Sequence, residues 1–195
     1  LNTFEQNILR LHLHSRMQNF HPHLLRICLL MIRKEPSLLT KLIDFMVYHW
    51  PLTRDKKCEL FLAEISQILE ETLPQDITES LPGLLRCVAL AAETPSMALS
   101  DKALNFFLTE QIKSTISKNT ELYFPMIFPA LFTAARDHWN RNVQKTAMNV
   151  MNSIMQLDPV EFKRAAANFK QTSMAVVENA VAKRNMWEQI ADAAE

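Results

Sequence analysis

The residues with the widest chemical repertoire in this chain are its six histidines and three cysteines. His12, His14, His21 and His23 crowd into one stretch and are the nearest thing to a metal cluster. Zinc sites draw on ligands that converge at set spacings. His12 and His14 lie two apart on a predicted helix and point to nearly opposite sides, so they cannot share an ion. Glu5 is the one carboxylate in the neighbourhood. The reading is therefore solvent-exposed or capping histidines, with no bound metal and no cofactor. His49 and His138 each have the chemistry of a general base, but a hydrolytic nucleophile also needs a sharp, exposing turn and an oxyanion hole. Gly83 is the only glycine in the chain, so neither that turn nor a phosphate-cradling loop can be built. The chain is read as non-enzymatic. Cys28, Cys58 and Cys87 form no C-x-x-C pair and sit among apolar residues at helical spacing. They read as buried free thiols of a reducing compartment, cytoplasmic and/or nuclear.

Charge narrows the field further. Acidic and basic residues balance at 21 each, which disfavours a nucleic-acid footprint. Arg26 and Arg33 interrupt the most apolar run, so no membrane span is expected. No secretion signal is visible, and Leu1 in place of Met suggests an excised fragment or processed chain. Glu70 and Glu71 read as a solvated helix face. Arg54, Lys56 and Lys57 stand at a predicted helix start, where positive charge opposes the macrodipole, and this invites a partner-contact reading. Met148, Met151, Met155 and Met186 could form a pliable binding face. Their helical spacing makes core packing the expectation.

These residues need elements to position them, and the pattern is helical throughout. Phe4, Ile8, Leu11 and Ser15 fall on one face of a first helix from Thr3 to Arg16. Pro22 opens a second that is apolar around most of its circumference and must be sandwiched between neighbours. Pro36 and Ser37 separate it from a third, which Pro51 stops. Thr53 or Asp55 caps a fourth, with Cys58, Phe61, Leu62, Ile65, Ile68 and Leu69 inward. Pro74 ends that helix. Asp76 and Glu79 have capping-box spacing for the next, where Pro82 and Gly83 predict a bend. Ser96 starts a helix running towards Ile112 and Ile116. Asn119 or Thr120 opens the segment containing LYFPMIFPALF, with Pro125 expected in its first turn and Pro129 kinking it. Val143, Ala147, Val150 or Met151, and Ile154 share a line in the helix after Trp139. Asp158-Pro159-x-Glu161 supplies a cap, a first-turn proline and a capping box for a long last helix, residues 159–195, ending near Ala193.

The result is about nine helices with short linkers and no strand. Helix pairs start near Pro22, Thr53, Pro95 and Trp139, roughly 30 to 43 residues apart, in the range of helical-pair solenoids. The expected fold is all-α: residues 1–195 form one segment of a right-handed α-solenoid of HEAT-like hairpins, with Leu122 to Phe132 central. Neighbouring pairs stack, leaving ridges of turns for partners. A closed helical bundle is the competing architecture, and the many short helices favour the solenoid.

FHPHLLRICLLMIRKE, FMVYHWPLTRDKKCELFLAEISQILE, FPMIFPALF and His138-Trp139-Asn140 together resemble the C-terminal part of the B′ regulatory subunits of protein phosphatase 2A. The similarity runs from about Leu9 to Ile154, with a weaker echo around Phe162 to Ile190 that includes Trp187. Phe107 stands where that family usually has Trp, and the last helix lacks the family's dense Lys/Glu run, so the chain looks like a divergent member. The resemblance implies a non-catalytic subunit docking on the phosphatase scaffold and catalytic subunits. It also implies that the pocket for Leu-x-x-Ile-x-Glu substrate peptides lies in repeats upstream of Leu1. No pocket residue is therefore carried onto this sequence. The alternative is an unrelated helical-repeat adaptor or transport-type peptide binder, and a small helical-bundle enzyme is a third, weaker reading.

Ridge-forming turns are expected at His49 to Lys57 and Arg136 to Arg141. The partner-contact candidates are His49, Arg54, Lys56, Lys57, Arg136, His138 and Arg141.

Overall fold

The computed structural model describes residues 4–72 and 77–192, with side chains left out at 176, 177, 180–182, 185 and 187–192. Pro74, Asp76 and the side chain of Trp187 thus lie outside the described residues. Among those described there are helices and turns and no strand.

The first segment departs from the sequence reading. It is a π-helical turn, Phe4–Ile8, running into a short α1, Leu9–Leu11, and then a 3-10 turn, Met17–Asn19. The bonds His12 N–H to Leu9 O, Leu13 N–H to Arg10 O and His14 N–H to Leu11 O span three residues rather than four. That tighter winding rotates the inward face. Leu9, His12 and Met17 are buried, while Leu11 and Ser15 face water.

Four stacked pairs follow. The first is α2 (His21–Lys34) with α3 (Leu38–Tyr48), and the second is α4 (Asp55–Glu71) with α5 (Leu81–Ala92). The third is α6 (Met97–Phe106) with α8 (Thr120–Asp137), and the fourth is α9 (Arg141–Met155) with α10 (Pro159–Asp192). One layer stacks α2, α4, α6 and α9 in turn; the other stacks α3, α5, α8 and α10. The chain is therefore an all-α solenoid of stacked helices; helices start at the four expected positions, but the closest packing of chain neighbours joins α5 to α6 and α8 to α9, across the expected pair boundaries.

The extra helix α7 (Glu110–Ser117) sits inside the third pair, against α8. The sequence read α6 and α7 as one helix. Three-residue bonds at Phe107, Leu108 and Thr109 end α6, and the turn buries Phe106 and Phe107 together.

Helix α8 lies at the centre of its layer, touching α5, α7, α9 and α10. Tyr123, Phe124, Ile127, Phe128 and Leu131 are buried, each worth about 1.5–3 kcal/mol of apolar transfer. The helix is continuous through Pro125 and Pro129, and Pro125 lies beyond its first turn. The two prolines are four apart on its outer stripe, as is Glu121, so the carbonyls they leave unpaired point towards solvent.

Pro82 is not mid-helix: α5 begins at Leu81, so the proline occupies the first turn, where its missing N–H costs nothing. A Cβ on Gly83 would stand 3.0 Å from Val47 Cγ1, so the glycine lets α5 close on α3.

The expected caps hold in part: Arg54, not Thr53 or Asp55, occupies the N-cap of α4, and no side chain caps that helix. Asn119 and Asn140 accept backbone N–H bonds as helix caps, and Asp158 Oδ1 accepts from the N–H groups of Val160 and Glu161 at 3.1 Å. No described residue has positive φ and no described peptide bond is cis. No helix among the described residues is long and apolar enough to cross a membrane.

Candidate functional site

In this two-layer stack every connection from one pair to the next falls on the same edge. The turns before α4, α6 and α9 therefore form one ridge, and both sequence-predicted turns lie on it. Before α4, Pro51 ends the previous helix and Arg54 N–H bonds back to Pro51 O, setting the start of α4. His49 is half-buried: its Nδ1–H donates to Phe45 O at 3.0 Å and its ring lies 4.3 Å from that of Phe45. It closes the end of α3 rather than reaching outward.

Arg54 and Lys56 are exposed. Lys56 pairs with Glu59 at 3.1 Å, and Lys102 approaches the same carboxylate at 3.5 Å. Lys57 lies 5.8 Å over the Phe61 ring, and burial, then the neighbouring Arg54 charge, push its ammonium below the ordinary lysine range. Arg54, Lys56 and Lys57 meet Ser15, Met17 and Gln18 around a shallow concavity of about 140 Å³.

At the second turn Arg136 forks onto Asp137 with two 2.7 Å bonds and lies 5.1 Å over the Phe132 ring. Its guanidinium holds the Asp137 carboxyl below the usual range. Arg141 is exposed at the first position of α9, against the helix dipole.

His138 corrects the expectation. It is buried, its Nδ1 accepts from Asn140 N–H at 3.0 Å, and its carbonyl accepts from Gln144 Nε2 at 2.7 Å. The ring builds the turn and stacks beneath Trp139 instead of meeting a partner.

The residues missed on this ridge are apolar. Trp139 is 68 % exposed, Tyr48 84 % and Leu52 66 %. The Trp139 indole donates to Pro95 O at 2.7 Å, and Asn140 Nδ2 reaches Met97 Sδ at 3.0 Å, tying the α8–α9 turn to the α5–α6 turn. Aromatic residues beside unpaired arginine are the composition of protein-contact hot spots. The sequence carried the signal in His138-Trp139-Asn140, but the pattern assigned the importance to the histidine. A second apolar groove, about 710 Å³, runs between α8 and α10 past Phe128, Phe132, Phe169 and Met174.

The methionines correct another expectation. Met148, Met155 and Met186 are exposed and Met151 is half-buried; the inward line of α9 is Val143, Ala147, Val150 and Ile154.

The thiols follow the reading. Cys28 and Cys58 are buried and Cys87 is half-buried. Burial pushes Cys58 up to about 12 and Cys87 up to about 11.

The histidine reading is half overturned. His14 and His23 are exposed, but His12 and His21 are buried on either side of a buried Glu64. His12 Nε2 stands 2.9 Å from Glu64 Oε1 and His21 Nε2 stands 3.1 Å from Oε2. Burial alone would raise the Glu64 carboxyl, but the bonds from His12 and His21 outweigh it and hold it below the usual range. The donor atoms of His12, Cys28 and Glu64 lie within 4.8 Å of one another, the one grouping of metal-ligating type among the described residues.

Comparison with known proteins is consistent over nearly the whole chain. The family described as protein phosphatase 2A regulatory B subunit (B56 family) matches residues 1–194. The chain is 27 % identical over 183 residues to the B′ eta isoform of the 59 kDa phosphatase 2A regulatory subunit from Arabidopsis thaliana, covering 94 % of this chain and 36 % of that protein. It is 26 % identical over 187 residues to the delta isoform of the human 56 kDa regulatory subunit, covering 96 % and 31 %. A Schizosaccharomyces pombe delta 2 isoform is 28 % identical over 171 residues, covering 88 % and 27 %. The chain spans about a third of the length of these relatives. A match of this extent, on a stack of helical hairpins, places the chain in the B56 family of protein phosphatase 2A regulatory B subunits.

Proposed function

We propose that this chain acts as part of a non-catalytic regulatory subunit, docking on the scaffold and catalytic subunits of a phosphatase 2A and helping to direct it to substrates. The observation that carries this reading is the ridge. Exposed Arg54, Arg141, Tyr48, Leu52 and Trp139 share one edge of a fold whose family members are named as regulatory subunits. Substrate peptides are taken by repeats upstream of this segment, and neither nucleic acid nor membrane is a partner. Three high-pKa free thiols support action in the cytoplasm and/or nucleus, where thiols stay reduced.

The test is capture of purified scaffold and catalytic subunits by the full chain and by a variant carrying Arg54→Glu with Lys56→Glu. Reversal at a contact ridge is expected to cost on the order of 1 to 3 kcal/mol of assembly, roughly 5- to 150-fold in affinity. Circular dichroism should be unchanged. Undiminished capture with normal helicity would move the contact off this ridge.

A further inference from the structure

Helix α10 closes its layer, with α8 as its one layer neighbour among the described residues. Between the two runs the apolar groove of about 710 Å³. Its floor is aromatic: the Phe169 ring lies 5.7 Å from that of Phe128 and 5.5 Å from that of Phe132, centroid to centroid. Lys170, Met174 and Glu178 of α10 line the groove at four-residue spacing. Residues four apart form the ridge by which one helix fits against another. All three are exposed, Met174 to 56 %. Lys170 and Glu178 take part in no ion pair or side-chain hydrogen bond among the described residues. They stand two turns apart, about 12 Å along the axis, too far to pair with each other.

The order along this ridge is cation, methionine, anion. Read in the opposite direction it is anion, methionine, cation, so the ridge is its own complement about a twofold axis through Met174. Isologous contacts require that self-complementarity. The chain also carries 21 acidic and 21 basic residues, so no net charge drives two copies apart.

We propose that this groove takes a second copy of the chain, the two α10 helices crossing antiparallel about Met174. Lys170 of each copy then meets Glu178 of the other, giving two equivalent ion pairs. Between them each Met174 packs into the other copy's groove, over Phe132 and Phe169. Methionine suits that joint, because its thioether is favourable against aromatic rings and its rotamers adapt to the space. Arg136, at the mouth of the groove, is already forked onto Asp137, so the choice of partner falls to Lys170 and Glu178. The contact uses none of Arg54, Lys56 or Trp139 and stands independently of the phosphatase reading.

The experiment is sedimentation equilibrium of the full chain from about 1 to 200 μM, a range that suits a small interface. The expected result is a monomer–dimer equilibrium without larger species, because a twofold contact closes on itself. Lys170→Glu and Glu178→Lys should each weaken the dimer at least about 10-fold, since each sets like charges opposite one another twice. Mixing the two variants restores opposite charges at both contacts and should give a heterodimer within about 3-fold of wild type. Met174→Asp should abolish association. All three positions are exposed, so circular dichroism should not change. A chain that stays monomeric across the range overturns the proposal and leaves the groove to a different protein. A dimer that neither charge variant weakens, or a mixture no tighter than either variant alone, overturns it as well, because the copies would then be meeting elsewhere.

Discussion

The indole N–H of Trp139 is bonded to the carbonyl of Pro95 at 2.7 Å, joining the turn that opens the fourth helix pair to the turn that opens the third. Solenoid pairs are held mainly by apolar faces between helices; here a polar bolt is added at the rim. Trp139→Phe keeps the ring and deletes the donor. It should lower stability by about 0.5–1 kcal/mol, read as a shift in the urea midpoint with unchanged slope.

Gly83→Ala sets two effects against each other. Alanine restores helix propensity worth about 0.5–1 kcal/mol, while overpacking a close contact costs about 1–3 kcal/mol. With Val47 Cγ1 at 3.0 Å the contact should win, for a net loss of about 1 kcal/mol. Adding Val47→Ala should recover part of that loss. An additive double-mutant cycle in urea would show that the two helices do not meet through these atoms.

Among the described residues, Glu64 is the only partner of the Nε2 atoms of His12 and His21. Glu64→Leu leaves both rings without it in the core and should cost about 3–5 kcal/mol in thermal or urea unfolding. Glu64→Gln retains an oxygen for one ring and should cost less, about 1–3 kcal/mol. Equal losses would mean that packing volume, not hydrogen bonding, sets the cost.

Asp158 caps α10 and also accepts from Thr120 Oγ1 at 2.9 Å. The backbone N–H of Glu161 and the Thr120 hydroxyl hold its carboxyl below the ordinary value of 3.8. A depressed carboxyl contributes stability that is present above the unfolded pKa and fades as pH falls through the folded one. Asp158→Asn should therefore melt below wild type at neutral pH. The gap should narrow steadily below about pH 4. A gap that stays constant down to pH 2 would show that the charge contributes nothing.

Local chemistry was the legible part of the sequence. Asn119 and Asp158 cap helices through bonds to residues two or three ahead, so a short window contains the whole interaction. The inward line Cys58, Phe61, Leu62, Ile65, Ile68 and Leu69 follows from period alone. Glu64 stands on that same helix and looks like an ordinary wet-side carboxylate. Its burial is decided by two histidines on other elements, which no window around it contains. His138 fails for a related reason: its ring is taken up by Asn140 N–H inside the turn, leaving Trp139 as the exposed neighbour. The α6–α7 break was missed because Phe106 and Phe107 keep the apolar period running through a turn.

Every described turn is made with ordinary negative-φ backbone, without cis peptides or left-handed residues. Turns that rely on glycine or asparagine fix their own sequence, since few side chains tolerate that conformation. On this ridge the backbone imposes no such toll on Leu52, Thr53, Arg54 or Trp139. Substitutions there can accumulate by neutral drift without unfolding the stack, so selection at these positions is free to follow the binding partner. Variation among close relatives at the ridge would then be a record of changing partners, and constancy a record of a shared one.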